Sequence, residues 1–386
     1  MRLFLKMIPS HDKIVLYNRK CDFMKKTIVY ELMHMGKSVA QITTSGRATI
    51  HNADFMPYDL YFDEDDGDDI DTLINNLANF YHWCASRVLT LDRKYAKEIL
   101  NSIGMSQAVT DKDRANISLS YHCVSLTDVY WVREKDEKIT FAELNLYDNP
   151  LNEAVVDISL KGHQMTVTNH ELAQDLSTKG CFPKAWIRTN DGFKLLKDGS
   201  KEVVKRELLA SEICQCFDIP QVIYKKHYYD GELVTESDIV SSKEYSLVSK
   251  FAFDIYAVNH ELDTLEVCKE LDPVTYYGMN ILDYLVGNTD RHPENWGFLI
   301  DNKSNAYVSL YPVMDFNQTF LSYENLEGAN CQTVLPRHLT QREAAIEAVK
   351  VIGLRQIKEI DMGKFGQMTK EAEIFAKRLA ELKKYV

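Results

Sequence analysis

The chain has 386 residues, 45% apolar, 26% charged and 11% aromatic, which excludes wholesale disorder and supplies core for two or three compact units. Lys and Arg number 45 against 57 Asp and Glu, a formal net charge of −12. That balance argues against a nucleic-acid binder, whose affinity comes from basic groups that neutralise phosphates.

At the amino terminus Met1-Arg2-Leu3-Phe4-Leu5-Lys6-Met7-Ile8 has no apolar core of signal-peptide length, and no later stretch offers about 18 uninterrupted apolar residues. Eight scattered cysteines include no CxxC pair, so the expectation is free thiols in a cytoplasmic protein away from membranes, without a zinc or disulfide framework. Asp63-Glu64-Asp65-Asp66-Gly67-Asp68-Asp69 has the charge of a calcium loop but not its spacing. Counted from Asp63, Gly67 is fifth rather than sixth, and position twelve is Ile74 rather than Glu. It reads as a solvated loop entering a helix, where carboxylates meet the positive end of the helix dipole.

From Asp71, Leu73, Leu77, Phe80, Cys84 and Val88 recur at three- and four-residue steps and predict one helix with a buried face. A second helix is expected over Arg93–Ile103, closed by Gly104, followed by strands over Tyr121–Val132 and Ile139–Leu146, with Asn149-Pro150 as a breaker. Nothing before about residue 170 has catalytic spacing. Residues 1–172 are therefore taken as an accessory α/β domain.

Ala185–Thr189 and Phe193–Lys197 flank Asn190-Asp191-Gly192, residues that tolerate positive φ, and predict a β-hairpin. Val204, Leu208, Ile213 and Phe217 put Lys201–Phe217 on a helical period, and Tyr245–Phe251 reads as a further strand, giving a small sheet flanked by one helix. Beyond Pro273 the chain reads as helical. Tyr276, Met279, Ile281, Leu282, Leu285 and Val286 form a buried helix stopped by Gly287-Asn288, and Phe375, Leu379 and Leu382 form a stripe near the end.

The most informative stretch is the polar loop Asn288-Thr289-Asp290-Arg291-His292-Pro293-Glu294-Asn295, placed between that buried helix and the strand-like Gly297–Ile300. Asp290 and Asn295 have the Asp-x-x-x-x-Asn spacing of a protein-kinase catalytic loop, and Met314-Asp315-Phe316 ends the next apolar run where Asp-Phe-Gly would stand. Phosphoryl transfer needs a carboxylate to take the proton of the attacking hydroxyl, and an amide with a second carboxylate to hold Mg²⁺. Lys197 at the hairpin end and Glu207 on the next helix can form the ion pair that positions phosphates, with Glu202 and Glu212 as rivals to Glu207. Singly, each of these residues is better explained as a turn former, a cap or a solvated charge. Their combination and order point to a site. His292 is expected to orient the loop, Arg291 either to steady phosphate or to pair with a carboxylate, and Trp296 and Phe298 to pack.

Gly180-Cys181-Phe182-Pro183-Lys184-Ala185, Leu195-Leu196-Lys197, Asn288 to Phe298 and Met314-Asp315-Phe316, in this order, resemble the motifs of HipA-like serine/threonine kinases. The resemblance covers residues 173–386 and implies an α+β, two-lobed protein-kinase-like fold with ATP and Mg²⁺ between the lobes: a β-rich N-lobe over 173–265 and a helical C-lobe over 266–386. It implies Asp290 as base, Asn295 and Asp315 as magnesium ligands, and Lys197 as the phosphate lysine. Nucleotide contacts would come from Gly180 and Lys184, and from Ser249 and Phe251 in a hinge strand 247–251. Ser177 or Thr178 would be the autophosphorylation site. Ser177-Thr178-Lys179-Gly180 has one glycine instead of Gly-x-Gly-x-x-Gly, and Asn317 stands near the place where a glycine is usual.

The favoured reading is an ATP- and Mg²⁺-dependent kinase acting on a Ser or Thr hydroxyl of a protein substrate. A small-molecule or lipid kinase is the alternative within the fold, since Asp-Arg-His-x-x-Asn also looks like the loop of phosphoinositide kinases, although no basic amphipathic segment supports a lipid. A pseudokinase is the non-enzymatic alternative, opposed by the joint presence of Lys197, Asp290, Asn295 and Asp315. The resemblance also implies an antitoxin-like regulatory partner. The amino-terminal segment does not match the family's best-known members in sequence.

Overall fold

Side-chain patterning divides the chain into antiparallel sheets and amphipathic helices that meet over a few shared cores. The computed structural model describes residues 27–64, 69–88, 110–149, 184–190, 192–321 and 323–386. The amino-terminal region holds β1 (Val29–His34), β2 (Lys37–Thr43), β3 (Ala48–Ile50), α1 (Ile70–Ser86), α2 (Asp111–Ser120), β4 (Tyr130–Glu134) and the short α3 (Phe141–Leu144). Its sheet runs β3-β2-β1-β4, antiparallel throughout. α1 carries the stripe expected of it, with Phe80 and Cys84 fully buried, and Asp69 caps it by accepting from the Thr72 N–H at 3.1 Å. The last residue of the acidic run thus does open a helix. The helix expected over Arg93–Ile103 lies outside the described residues.

Two of the expected strands are corrected. Within Tyr121–Val132 only Tyr130 onward is strand, because His122 and Cys123 take positive φ of 60° and 56° in a turn after α2. Ile139–Leu146 contains a helical turn instead. The Glu143 carboxylate accepts from the Thr140 N–H at 2.9 Å and from its hydroxyl at 2.6 Å, a capping arrangement that strand alternation does not reveal.

The next elements are β5 (Lys184–Thr189), β6 (Gly192–Lys197), α4 (Lys201–Cys214), β7 (Lys225–Tyr229), β8 (Glu232–Asp238) and β9 (Tyr245–Ser249). β5 and β6 form the expected hairpin, with Gly192 at φ +111°. They sit in a sheet of order β5-β6-β8-β7, whose last two strands the sequence reading did not contain. β9 does not join that sheet; it pairs with β10 (Gly297–Asp301), which pairs in turn with β11 (Ala306–Leu310). Residues 239–244 therefore cross between the two sheets. The strand also stops at Ser249, whose hydroxyl accepts from the Ala252 N–H at 3.2 Å and starts α5 (Lys250–Asn259), so Lys250 and Phe251 are helical.

α6 (Thr264–Leu271), α7 (Pro273–Val286), α8 (Gln341–Ile352) and α9 (Thr369–Leu382) complete the carboxy-terminal part. α7 is almost wholly buried and ends on Gly287 in the left-handed conformation, φ +63°. The largest core joins α4, α7, α8, α9 and the β10–β11 hairpin, and it takes in Tyr58 from the amino-terminal region. All six described cysteines are free. Among the described residues no helix is long and apolar enough to cross a membrane.

Candidate active site

The loop 288–296 owes its shape to a charge buried beneath it. Asp283 is the one acid in the apolar run Ile281 to Val286 of α7, and its carboxylate accepts from the Arg291 guanidinium at 2.8 and 2.9 Å. Arg291 is 2% exposed and also donates to the carbonyls of Asn295 and Met314, tying the loop to the segment that carries Asp315. Of the two roles left open for it, carboxylate pairing is the one observed. Asn288 donates to Asp283 at 3.0 Å and to the Asp315 carbonyl at 3.2 Å, so both segments hang on the end of α7. Asn295 closes the loop by donating from Nδ2 to the Asp290 carbonyl at 2.7 Å. Trp296 and Phe298 are buried packing residues, as expected.

Across the cleft, Lys197 at the end of β6 places Nζ 2.6 Å from Glu207 Oε1 and 2.8 Å from Asp315 Oδ1. Glu207 is the partner among its rivals: Glu202 pairs with Lys205 and Glu212 with Lys364. Thr235 on β8 donates to the other Glu207 oxygen at 2.9 Å, fixing the carboxylate. Asp315 sits at φ +62°, and its N–H donates to the Tyr224 hydroxyl at 3.0 Å. Burial opposes its ionisation, but Lys197 and then Lys184 outweigh it and hold the carboxyl at about 2. Burial likewise disfavours a charged Lys197, yet Asp315 and Glu207 push its pKa well above the usual lysine value.

Asp290 shifts the other way. Burial raises its carboxyl above the ordinary value, with Asp315 adding to the rise and His292 opposing it. His292 Nε2 lies 4.0 Å from Asp290, and its Nδ1 accepts from the Glu294 N–H at 3.2 Å, which fits an orienting role within the loop.

A cavity of about 240 Å³ opens between the sheets. Lys184, Leu195, Val240, Leu247, Ser249 and Met314 are among its lining residues, whereas Phe251, exposed on α5, is not. The expected nucleotide contact at Phe251 is thereby corrected, because the helix begun at Ser249 turns that side chain away from the lining. Ser177, Thr178 and Gly180 lie outside the described residues. Asp283, Tyr224 and Thr235 escaped the sequence reading. A lone acid inside an apolar helix was the available signal for the first, and no spacing marks the other two.

No protein-family model matches the sequence, and neither does any curated protein. Among solved structures, HipA of the Shewanella oneidensis MR-1 toxin-antitoxin system, in complex with HipB and operator DNA, aligns over 92% of this chain and 97% of its own, at 10% identity and TM-score 0.51. A Helicobacter pylori proinflammatory kinase, CtkA, aligns over 53% of this chain and 90% of its own, at 16% identity and TM-score 0.39. The chain has the two-lobed HipA-like kinase fold. The likeness to HipA extends over more of the chain than residues 173–386 supply, so it reaches into the amino-terminal region where the sequence showed no match.

Proposed function

We propose that the protein is a kinase that transfers the γ-phosphate of ATP, with Mg²⁺, to a Ser or Thr hydroxyl on a protein. The observation that supports this most is the meeting of Lys197, Glu207 and Asp315 opposite the Asp290–Asn295 loop, at the edge of a cavity between the sheets. In this reading Asp290 takes the proton of the attacking hydroxyl, and its raised pKa makes it the better base. Lys197 holds phosphate oxygens, Glu207 holds Lys197 in place, and His292 orients the loop. Lys184 and Ser249 contact the nucleotide, and Gly180 does so from outside the described residues.

Asn295 and Asp315 would hold Mg²⁺, which supplies charge neutralisation at the phosphates. They fit it: Oδ1 of Asn295 accepts no hydrogen bond among the described residues, Asp315 is ionised at neutral pH, and both are hard oxygen donors. Among the described residues no group of three or more His, Cys, Asp or Glu could cage a metal, so phosphate and water would complete the shell.

The proposal includes autophosphorylation at Ser177 or Thr178, a cytoplasmic setting, and an antitoxin-like protein partner, which the net charge of −12 suits better than direct contact with nucleic acid. It divides the chain at 172 and 265, with β9 pairing across the second boundary.

The test is transfer of labelled γ-phosphate by wild type and Asp290→Asn, followed by phosphosite mapping. Wild type is expected to label itself or a protein in cell extract, and the variant to be slower by roughly 10²–10⁴-fold. Label only on small molecules or lipids favours the alternative kinases. No label with ATP still raising Tm favours a pseudokinase.

A further inference from the structure

The cavity continues past the crossing segment 239–244, and there its wall comes from the amino-terminal region, with Tyr58, Trp83, Ser86, Arg87, Ser125 and Thr127 among its lining. This wall is firmly built. Arg87 donates to the two Asp128 oxygens at 2.9 and 2.6 Å and to the carbonyls of Cys123 and Tyr130, which fixes the loop 125–128. The loop is fastened to the crossing segment and β9: the Leu247 N–H donates to the Thr127 carbonyl at 2.8 Å, and the Ser241 hydroxyl to the Leu126 carbonyl.

Charge orients whatever occupies the cavity. Lys184 lies at the Asp315 end and acts on that carboxylate, whereas at the far end Arg87 is engaged by Asp128 and Asp59 adds negative charge. Phosphates belong at the first end, and a neutral planar ring at the second, among the aromatic faces of Tyr58, Trp83 and Trp186. Ser237 points to the same occupant. It is 4% exposed, lines the cavity, and its hydroxyl makes no hydrogen bond among the described residues, so it is a group that a ring nitrogen or amino group can satisfy.

We infer that the amino-terminal region is part of the nucleotide site itself: the base of a purine nucleotide is held between the two sheets and the wall of Trp83, Ser86 and Thr127, which couples nucleotide binding to the docking of that region. The inference rests on the nucleotide reading of the cleft. Coupling follows from linkage, since a ligand that touches both bodies stabilises their contact by its own binding.

The experiment measures binding of adenosine, ADP and inorganic pyrophosphate with Mg²⁺ to the full chain and to Ser86→Trp, whose indole fills the far end. Adenosine and ADP are expected to bind at least tenfold more weakly to the variant, with pyrophosphate unchanged within twofold. Adenosine binding unchanged in a folded Ser86→Trp overturns the inference. Hydrogen exchange on wild type decides independently should the variant misfold: ADP is expected to slow exchange in 83–88 and 123–130 as well as in 239–249, and protection confined to 239–249 overturns it. Absence of adenosine and ADP binding to wild type defeats the nucleotide reading and this inference together, whereas binding without these effects defeats this inference alone.

Discussion

Lys197 is the residue on which the two sides of the cleft meet, and its worth is electrostatic. With Nζ gone, the Glu207 and Asp315 carboxylates are left buried without their cation. Lys197→Met is expected to lose about 3–5 kcal/mol of stability, the cost of breaking a buried pair from one side, in a denaturant titration; Glu207→Gln in the same chain should return part of it. A loss under about 1 kcal/mol would contradict the pairing. The acid limbs of stability and activity should separate. Asp315, with a folded pKa of about 2 against an ordinary 3.8, supports the fold fully above about 4 and loses that support as pH falls towards 2. Asp290 is raised instead, so on the proposed kinase reading the base at this position loses its charge, and kcat/KM falls, at a pH above the ordinary carboxylate value while the fold still stands. Replacing His292 with Gln, which removes the group opposing that rise, should move the limb upward in the kcat/KM profile. The residues proposed to carry chemistry could be singled out in the sequence because the types and spacing that phosphoryl transfer needs are distinctive. Asp283, Thr235 and Tyr224 were not, since they act on the first set through contacts that join distant parts of the chain.

Among the elements, helices announced by an apolar period, α1, α4, α7 and α9, were readable, as was the hairpin whose turn needs positive φ at Gly192. Elements set by one local hydrogen bond were not. Thr140 with Glu143 makes a helical turn out of an apparent strand, and Ser249 ends a strand by capping a helix. β7 and β8 were missed because charged and polar residues dominate Lys225–Tyr229 and Glu232–Asp238. The β9–β10 pairing depends on Gly297 having no side chain. A Cβ there would sit 2.1 Å from the Val248 carbonyl oxygen and 2.7 Å from the Lys250 nitrogen, both backbone atoms with little room to yield. Gly297→Ala should therefore lower stability by about 1–3 kcal/mol, as overpacking does, and expose the β9 amides. An unchanged Tm would mean that the strands part without penalty.

At the scale of the whole molecule, the amino-terminal region grips both sheets that border the cleft. Arg188 on β5 donates to the carbonyls of Leu146, Tyr147, Asp148 and Asn149. Asn305, in the turn between β10 and β11 at φ +56°, donates to the Asp54 and Met56 carbonyls and accepts from the Tyr130 hydroxyl at 3.0 Å. Asn305→Ala removes both donations to the Asp54 and Met56 carbonyls and leaves the Tyr130 hydroxyl with only the Met56 carbonyl, 3.2 Å away, and should cost about 1–3 kcal/mol. Asn305→Gly keeps the backbone conformation but not the contacts, so equal losses in the two variants, with faster hydrogen exchange at 54–58, would assign the effect to the grip. Loss only in Ala would assign it to the backbone.

The Tyr58 hydroxyl donates to the Asn305 carbonyl at 2.8 Å across a sequence separation of 247, and its ring belongs to the carboxy-terminal core. On the ribosome, at roughly 5–20 residues per second, those partners emerge about 12–50 s apart. A segment made early is thus among the last to be finished: during translation the face that carries Tyr58 and Tyr130 stays wet and open to chaperones until the turn that carries Asn305 has emerged.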